Sequence, residues 1–399
     1  MFIQEPAKAL PVSEHCDVLV CGGGIAGVAA ALAARRHGAD VLLVEREYAL
    51  GGLATLGLIS IYLPLCDGLG RQVSFSIAEQ LLRLSVQHGI EDVPNNPWLR
   101  ENSTLEERKQ RRFRIQYNPH LFAIDMEQLL LKEGVRILYG TAICDVLEQN
   151  GQITHVMVEN KNGRSAISLK SIIDATGDAD ICHRSSAKTV NYSKGNPLAA
   201  WYYYTGQQGY RLHEYGVSDS TPKEGSNAET IGGARRYTGL DAQELTDMVC
   251  ASHACLEEAF LRKGEDSFTH ALSTIATIPQ IRMTRRLVTP HTLCQEDMHK
   301  TFFDSVGMIS DWRKAGPVYE IPFRSLYSTD VKNLLAVGRC MGADDDTWDV
   351  TRVIPACAVT GQAAGTAAAL SSNFPALDLN ALQDALQKDG VVLHESELV

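Results

Sequence analysis

The segment from Cys16 to Glu45 constrains the fold of this 399-residue chain more than any other part of its sequence. A short apolar run is followed by the turn Gly22-Gly23-Gly24-Ile25-Ala26-Gly27, a run of small residues and a second apolar run that ends in an acid. This order is typical of a βαβ unit, in which a helix joins two parallel strands. Arg35 and Arg36, followed by Gly38, form a usual helix end. The segment therefore predicts a dinucleotide-binding unit.

Each glycine of the turn has its own task in binding a dinucleotide. Gly22 permits the tight turn, Gly24 lets the backbone approach a pyrophosphate, and Gly27 lets helix and sheet pack closely. The N-terminus of the helix offers N–H groups and the positive end of its dipole to the phosphates. Glu45 has the spacing of an acid that accepts hydrogen bonds from ribose hydroxyls. Its charge disfavours a 2′-phosphate, so NADP is not expected here.

Three further motifs indicate which dinucleotide is bound. The glycine turn Gly51-Gly52-Leu53-Ala54-Thr55 follows the βαβ unit and would let the backbone wrap a longer ligand, such as the ribityl chain of FAD. An apolar run leads into Ala175-Thr176-Gly177, and Asn333–Arg339 precedes a small-residue helix with Gly361 and Gly365. With these motifs the chain resembles the FAD-dependent oxidoreductases that have a glutathione-reductase-like FAD domain. Its C-terminal part is similar to a branch known simply as "FAD-dependent oxidoreductase".

The resemblance implies noncovalently bound FAD, held by residues from several parts of the chain. They belong to the two glycine turns, the acid and its neighbour, the strands beside the flavin and the start of the last long helix. The expected FAD-binding residues are Gly22, Gly24, Ile25, Ala26, Gly27, Glu45, Arg46, Gly52, Leu53, Ala54, Thr55, Ala142, Ala175, Thr176, Gly177, Arg339, Arg352, Val353 and Ile354.

The expected fold class is α/β: a Rossmann-like FAD-binding domain of the glutathione reductase type, with a β-meander and an inserted α+β substrate cap. Asn150-Gly151 and Asn162-Gly163 separate alternating runs and are strong hairpin signals. We expect the FAD-binding domain at residues 1–190 and 328–399 and the cap at residues 191–327. The middle third has no second glycine turn of this kind, so a separate NAD(P)H domain is not expected.

Local patterns also predict individual elements. Apolar spacing predicts helices over residues 74–88, 119–132 and 242–263. A further helix is expected to begin with Thr351 as its N-cap and Pro355 in its first turn. Strands are expected at residues 135–139, 318–321 and 333–337.

Composition and charge exclude several classes of partner. A net charge of −11 argues against nucleic acid or an anionic membrane as the main partner. No apolar run reaches membrane-spanning length, and no signal peptide is visible. Ten cysteines without paired spacing indicate a reducing, cytoplasmic location. Cys250, His253 and Cys255 lack a second ligand pair, so no metal site is expected. A small-molecule substrate is the expected partner, and a homo-oligomer is left open.

Arginines are the main candidates for a direct part in the chemistry. Arg352 could place positive charge near N1 and O2 of the flavin, where negative charge gathers on reduction, or could pair with a nearby aspartate. Arg285 and Arg286, with Arg282, are candidates for binding a substrate carboxylate, because guanidinium groups bind carboxylates through two hydrogen bonds. Strand alternation would place Arg282 and Arg286 on one face and Arg285 on the other.

The proton acceptor is less well defined by the sequence. His120 is the candidate catalytic base, with Tyr117, Asp67 and Tyr203 as alternatives. Cys66 raises the alternatives of a covalent flavin or a redox relay, although a lone loop cysteine usually serves neither.

These observations predict an FAD-dependent oxidoreductase of the dehydrogenase or reductase type, which transfers a hydride between bound flavin and a small organic substrate. A carboxylate, an alcohol or an amine would fit. Two alternatives are a flavin-dependent monooxygenase and a flavin-bearing electron-transfer subunit of a larger complex. The absence of iron–sulfur ligand runs argues against the second alternative.

Overall fold

The computed structural model describes residue 3 and residues 6–88, 96–100, 102–207, 209–216, 235–263 and 271–398, with only the backbone of residues 262 and 263. The polar, glycine-rich composition of residues 206–233 predicts a loop, most of which lies outside the described residues. In the first half of the chain the elements are β1 Val12–Cys21, α1 Ile25–Arg36, β2 Val41–Val44, β3 Ile61–Tyr62, α2 Ile77–Val86, α3 Leu105–Gln110, β4 Ile115–Gln116, α4 Pro119–Glu133, β5 Arg136–Leu138, β6 Ala142–Gln149, β7 Gln152–Asn160, β8 Gly163–Asp174, α5 Asp180–Arg184 and β9 Thr189–Asn191.

The second half has shorter strands and one long, small-residue helix. Its elements are β10 Tyr202–Gly206, β11 Gly209–His213, α6 Ala242–Lys263, β12 Ala271–Ile275, β13 Arg285–Leu287, β14 Ser305–Ser310, β15 Val318–Pro322, β16 Leu334–Ala336, α7 Trp348–Thr351, α8 Ile354–Leu370 and α9 Leu379–Lys388.

A seven-stranded mixed sheet forms the centre of the described part of the chain. Its strands follow the order β5-β2-β1-β8-β7-β6, and β16 pairs with β8 beside β7. Strand β2 pairs in parallel with β5 and β1, and β8 pairs in parallel with β1 and β16. Strands β6, β7 and β8 form an antiparallel meander. This arrangement confirms the predicted α/β class, with its Rossmann-like sheet and β-meander.

Strand β8 combines two runs that the sequence suggested were separate strands. Its first half pairs with β7, and its last three residues pair with β16 as well as with β1. Asn150 and Gly151 both have positive φ, at 54° and 73°, which is the conformation of the tight hairpin turn predicted from these two residues. The meander therefore leads directly into the centre of the sheet.

Most of the helix predictions agree with the structure, but the predicted N-cap of α8 is wrong. Helix α6 has the predicted bounds, while α2 is shorter than predicted at both ends. Thr351 does not cap α8; it ends the short helix α7, where its hydroxyl donates to the Trp348 carbonyl at 3.2 Å. Val353 is the N-cap residue, and Pro355 lies in the first turn of α8 as predicted.

Helices α1 and α8 pack against each other at very short range on one face of the sheet. A Cβ atom on Gly361 would lie 2.2 Å from the carbonyl oxygen of Ala26, and one on Gly365 would lie 2.1 Å from that of Ala30. Both distances are far below any van der Waals contact. The two glycines of α8 therefore allow this backbone-to-backbone approach.

The middle third of the chain divides between two kinds of packing. Strands β10, β11 and β12 form a separate sheet, and α6 packs on it through small apolar clusters. Residues from Met283 to Leu326 instead contribute to the large core shared with α1 and α8. Strand β13 pairs with β9, which links the two parts.

Candidate active site

A cleft of about 1070 Å³, counted to its open mouth, lies at the carboxyl ends of β1, β2, β8 and β16. Parallel α/β sheets bind their ligands at this edge. The lining residues are Gly22, Gly24, Ile25, Ala26, Glu45, Arg46, Glu47, Gly51, Gly52, Leu53, Ala54, Leu56, Ala175, Thr176, Gly177, Asp178, Gly239, Leu245, Ile278, Pro279, Ile281, Val337, Arg339, Arg352, Ile354 and Cys357.

The first glycine turn leaves the N-terminus of α1 open to a ligand. A Cβ atom on Gly24 would have no atom within 4 Å, so the backbone here borders open space. Gly22 has φ of 106°, and a Cβ atom there would lie 2.5 Å from the Ala175 carbonyl oxygen. Gly27 does not line the cleft; it allows α1 to approach Gly22, whose oxygen would lie 1.9 Å from a Cβ at Gly27. The tight turn at Gly22 and the close packing at Gly27 agree with the structural tasks predicted for these two glycines, and Gly24 borders open space.

Glu45 connects the two strands and loops at one end of the cleft. Its Oε2 accepts a hydrogen bond from the Gly23 N–H at 2.6 Å, and its Oε1 accepts one from the Glu47 N–H at 2.9 Å. The carboxylate is 9% exposed, and its remaining lone pairs can still accept from a ligand. The acid is therefore fixed in place before any ligand arrives.

The second glycine turn lies against the first. The Gly51 N–H donates to the Gly23 carbonyl at 2.8 Å, and both Gly51 and Gly52 have positive φ. The backbone of residues 51–54 can thus form one wall of the cleft without side chains in the way. Thr55, which was expected to bind the cofactor, turns away, and its hydroxyl donates to the Leu50 carbonyl.

Asp174 shapes the turn after β8. Its buried carboxylate accepts hydrogen bonds from the Thr176 N–H at 3.1 Å, the Thr176 hydroxyl at 2.7 Å and the Cys182 N–H at 3.0 Å. These bonds hold Gly177 and Asp178 at the cleft wall. The apolar run before Ala175 predicted a strand followed by this turn, but only the structure shows that Asp174 holds the turn through its hydrogen bonds.

At the other end of the cleft, two arginines line the wall. The Arg352 side chain is 10% exposed, lines the cleft and forms an ion pair with Asp349, which is one of the two situations that the sequence left open. Arg339 Nη1 donates to the carbonyl oxygens of Ile281 at 2.9 Å and Arg282 at 3.2 Å, which ties the middle third to the cleft. Positive charge is thus concentrated beside the N-terminus of α8.

Arg285 and Arg286 are not brought to the cleft. Arg285 pairs with Asp180 at 2.9 Å and donates to the Asp178 carbonyl at 3.0 Å, behind the cleft wall. Arg286 lies in β13, and its buried Nε has no hydrogen-bond partner among the described residues. The predicted alternation of the three arginines is wrong, because strand β13 begins at Arg285 and leaves Arg282 outside it.

The candidate bases lie elsewhere in the described part of the chain. His120 is exposed in the first turn of α4, and the Tyr117 hydroxyl donates to the Ala54 carbonyl at 2.8 Å. Asp67 pairs with Arg71 at 2.7 Å. The Tyr203 hydroxyl is 2.6 Å from the Ser60 hydroxyl, and burial raises the pKa of Tyr203 to about 12, so it stays protonated at neutral pH.

Two other expected FAD-binding residues and one cysteine also lie away from the cleft. Ala142 is exposed at the start of β6, and Val353 is buried at the start of α8. Cys66 is buried and is not among the lining residues; burial raises the pKa of its thiol. Within the described ranges no cluster of three His, Cys, Asp or Glu residues could hold a metal ion.

Several lining residues were not predicted from the sequence. Gly239, Leu245, Ile278, Pro279 and Ile281 come from the middle third and form a wall that no motif marks. The proline after an apolar residue is their only local signal. Cys357 also lines the cleft; its Sγ lies 3.3 Å from the Arg352 carbonyl, and burial raises the pKa of its thiol to about 12.

The residues present fit FAD. The open backbone at Gly24 leaves space for a pyrophosphate, Glu45 offers acceptors for a ribose, and the second glycine turn forms a wall without side chains. Arg339 and Arg352 line the same cleft and carry the positive charge that stabilises a reduced flavin in proteins.

The chain belongs to the FAD dependent oxidoreductase family, whose model matches residues 17–198 and 199–386. It is therefore an FAD-dependent oxidoreductase, as the sequence resemblance predicted.

Comparison with individual proteins adds more distant similarities. A stretch of 73 residues is 34% identical to a thioredoxin reductase of Ureaplasma parvum serovar 3 and covers 18% of this chain. The match spans about a quarter of that relative, at 24% of its length. A geranylgeranyl bacteriochlorophyll reductase-like protein of Thermoplasma acidophilum is 14% identical, with 94% of this chain and 82% of that chain covered and a TM-score of 0.45. The aromatic hydroxylase CabE is 12% identical, with coverage of 94% and 66% and a TM-score of 0.45.

Across the described residues, no helix combines the length and the apolar character that a membrane crossing needs.

Proposed function

We propose that this protein binds FAD noncovalently in the cleft and transfers a hydride between the flavin and a small organic substrate. The observation that carries the proposal is that one cleft joins the glycine turn and Glu45 at one end to Arg339, Arg352 and the wall from the middle third at the other. A dinucleotide that occupies the first end places its reactive ring at the second. When bound, FAD supplies a hydride acceptor or donor at N5.

The protein's own residues would orient and polarise the reactants. Gly24 and the N-terminus of α1 would bind the pyrophosphate, and Glu45 would accept hydrogen bonds from the adenosine ribose. Arg352 and the N-terminus of α8 would provide positive potential beside the flavin N1 and O2. Because Asp349 neutralises part of the Arg352 charge, the backbone N–H groups of α8 would contribute a substantial share of this potential.

Substrate specificity would lie in the middle third of the chain. We propose that residues 1–190 and 328–399 form the FAD-binding domain and residues 191–327 the cap. The contributions of Gly239, Leu245 and Ile278–Ile281 to the cleft wall support this division. These apolar residues would exclude water from the face at which substrate meets flavin.

The first experiment is to purify the protein without added cofactor and record its visible spectrum before and after acid precipitation. A yellow supernatant that contains FAD is the expected result. Colour retained in the pellet would overturn noncovalent binding, and a colourless protein that does not take up added FAD would overturn the assignment of the cleft.

The second experiment tests the reaction. Small acids, alcohols and amines are mixed with the oxidised protein without oxygen, and bleaching of the flavin absorbance is followed. Bleaching by one class with formation of its oxidised product supports dehydrogenation; NADPH consumption with a hydroxylated product would instead indicate a monooxygenase. Copurification of a stable partner that is required for turnover would indicate an electron-transfer subunit.

A further inference from the structure

Arg282 is the most unusual charged residue in the described part of the chain. The residue is 3% exposed, and its Nη1 has no hydrogen-bond partner among the described residues. Its guanidinium carbon lies 5.6 Å from the ring centroid of Trp201, a cation–π contact. Such a contact stabilises a cation but cannot replace the lost hydration of a guanidinium group, which carries five donors.

The charges around Arg282 do not compensate it. Burial, and then the charge of Arg352, lower the pKa of Arg282 from its ordinary value, and Arg339 adds to the effect. Arg352 is already paired with Asp349, and Arg339 lies 3.7 Å from Asp178. Asp349 and Glu214 act in the opposite direction on the Arg282 pKa, but Glu214 is paired with Arg114 at 3.0 Å. Each of these carboxylates therefore has its own arginine, and one positive charge remains in excess.

The position of Arg282 relates this excess charge to the cleft. Its chain neighbour Ile281 lines the cleft, as do Arg339, which donates to the Arg282 carbonyl, and Arg352. Trp201 is held in place by Gln280, whose Oε1 accepts from the Trp201 N–H at 2.8 Å. Arg282 is not itself among the lining residues, so its guanidinium group lies directly behind this wall, next to the arginines that line the cleft.

A buried cation without a partner is costly, and proteins retain one where a ligand supplies the counter-charge. We infer that Arg282, together with Arg352, binds the carboxylate of a small organic acid, which is the substrate class of this site. This inference rests on the proposed function. A carboxylate suits the site because two guanidinium groups can each donate to its two oxygens.

The test uses the FAD-loaded protein in its oxidised form, with the flavin absorption spectrum as the readout of binding. The probes are acetate, succinate and benzoate, each compared with its uncharged amide at constant ionic strength, with sodium chloride as the inorganic anion control. The expected result is a saturable spectral change with one or more carboxylates and none with the matching amide or with chloride.

The decisive variant is Arg282→Met, which keeps the length of the side chain and removes the charge. Its carboxylate dissociation constant is expected to rise by roughly 10- to 100-fold, the usual value of a charge-assisted hydrogen bond. Arg211→Met, an exposed arginine of β11, is the matched control and should leave the constant unchanged. Arg282→Lys should fall between wild type and Arg282→Met, because it keeps the charge and loses the planar fork.

A second readout keeps the inference separate from folding and from the proposed function. At the same concentration, the bound carboxylate should raise the thermal unfolding midpoint of wild type by clearly more than that of Arg282→Met. If wild type holds FAD and responds equally to carboxylate, amide and chloride, or to none of them, the inference is wrong and Arg282 serves the flavin or the fold. If Arg282→Met does not fold, the inference is tested by comparing the response of wild type to each carboxylate with its response to the matching amide. Failure to hold FAD would instead contradict the proposed function.

Discussion

Glu45 illustrates how one side chain can serve both a fold and a site. Its two oxygens accept hydrogen bonds from the Gly23 and Glu47 N–H groups, which belong to loops on either side of the cleft mouth. A negative charge satisfies both backbone donors at once, and its unused lone pairs remain able to accept hydrogen bonds from a ligand. The acid therefore sets the spacing of the loops in addition to any direct contact with ribose.

The expected effect of Glu45→Gln follows from this double role. The amide group places an NH₂ opposite one of the two backbone donors and removes the charge. The dissociation constant of FAD should rise by roughly 10- to 100-fold. The measurement is fluorescence quenching on titration of the apoprotein with FAD, with the exposed Glu159→Gln as the control. Equal constants for the two variants would contradict the assignment.

Removing either charge of the Arg352–Asp349 pair should shift the flavin midpoint potential, and the two shifts should have opposite signs. Arg352→Met removes positive charge beside the cleft and should lower the flavin midpoint potential, whereas Asp349→Asn should raise it. A change of about 1 kcal/mol corresponds to roughly 20 mV for a two-electron couple. Titration against a redox dye measures both. Shifts of the same sign, or no shift in either variant, would show that the pair acts on structure alone.

At the scale of elements, the contact of α1 with α8 positions two ligand-facing helix N-termini. Helix α1 is buried from Ile25 to Ala34, and its backbone meets that of α8 at Gly361 and Gly365. Both helices begin at the cleft, where Ile25 and Ile354 line the wall. Close packing therefore fixes the distance between the start of α1 and the start of α8, which we propose bind the pyrophosphate and the flavin.

Gly365→Ala tests this contact. The new Cβ would meet the Ala30 carbonyl oxygen at 2.1 Å, so the helices must separate. Overpacking of this kind costs about 1–3 kcal/mol, which exceeds the gain of about 1 kcal/mol in helix propensity when the backbone cannot yield. Urea unfolding should show a lower midpoint than wild type. Ala369→Ser, at a half-buried position of α8, is the control and should change little; a higher midpoint for Gly365→Ala would refute close packing.

At the scale of the whole molecule, the cleft brings together segments that are far apart in the sequence. The first glycine turn, the turn after β8, the wall from the middle third and the start of α8 all meet there. A ligand that contacts all of these segments binds the folded state and not the unfolded chain. It should therefore stabilise the protein as a unit.

Removal of FAD should accordingly lower the thermal unfolding midpoint. With free FAD at about 100 times its dissociation constant, the stabilisation should be about 2.7 kcal/mol. Differential scanning fluorimetry of the apoprotein with and without FAD measures it. Riboflavin, which lacks the pyrophosphate and adenosine, is the comparison and should stabilise far less. Equal stabilisation by riboflavin would mean that the glycine turn and Glu45 contribute nothing to binding.

Local sequence patterns determined much of the fold. The βαβ unit, the two Asn-Gly hairpins and the bounds of α6 could be predicted because each depends on residues close together in the chain. The same holds for the glycines at positions 22, 24 and 27, because their spacing is set by the single turn that joins β1 to α1. The family also followed from motifs, since these record how the backbone approaches a phosphate.

What only the tertiary structure decided depends on contacts between distant segments. The partners of Arg282, Arg285 and Arg286 could not be derived from their spacing, because the strand begins at Arg285 and the neighbouring charges come from elsewhere in the chain. The wall formed by Gly239 and Ile278–Ile281 carries no local signal for the same reason. Turns and helices are determined by short-range sterics and hydrogen bonds, whereas the electrostatics of a cleft depend on which side chains the whole fold brings within a few ångströms of one another.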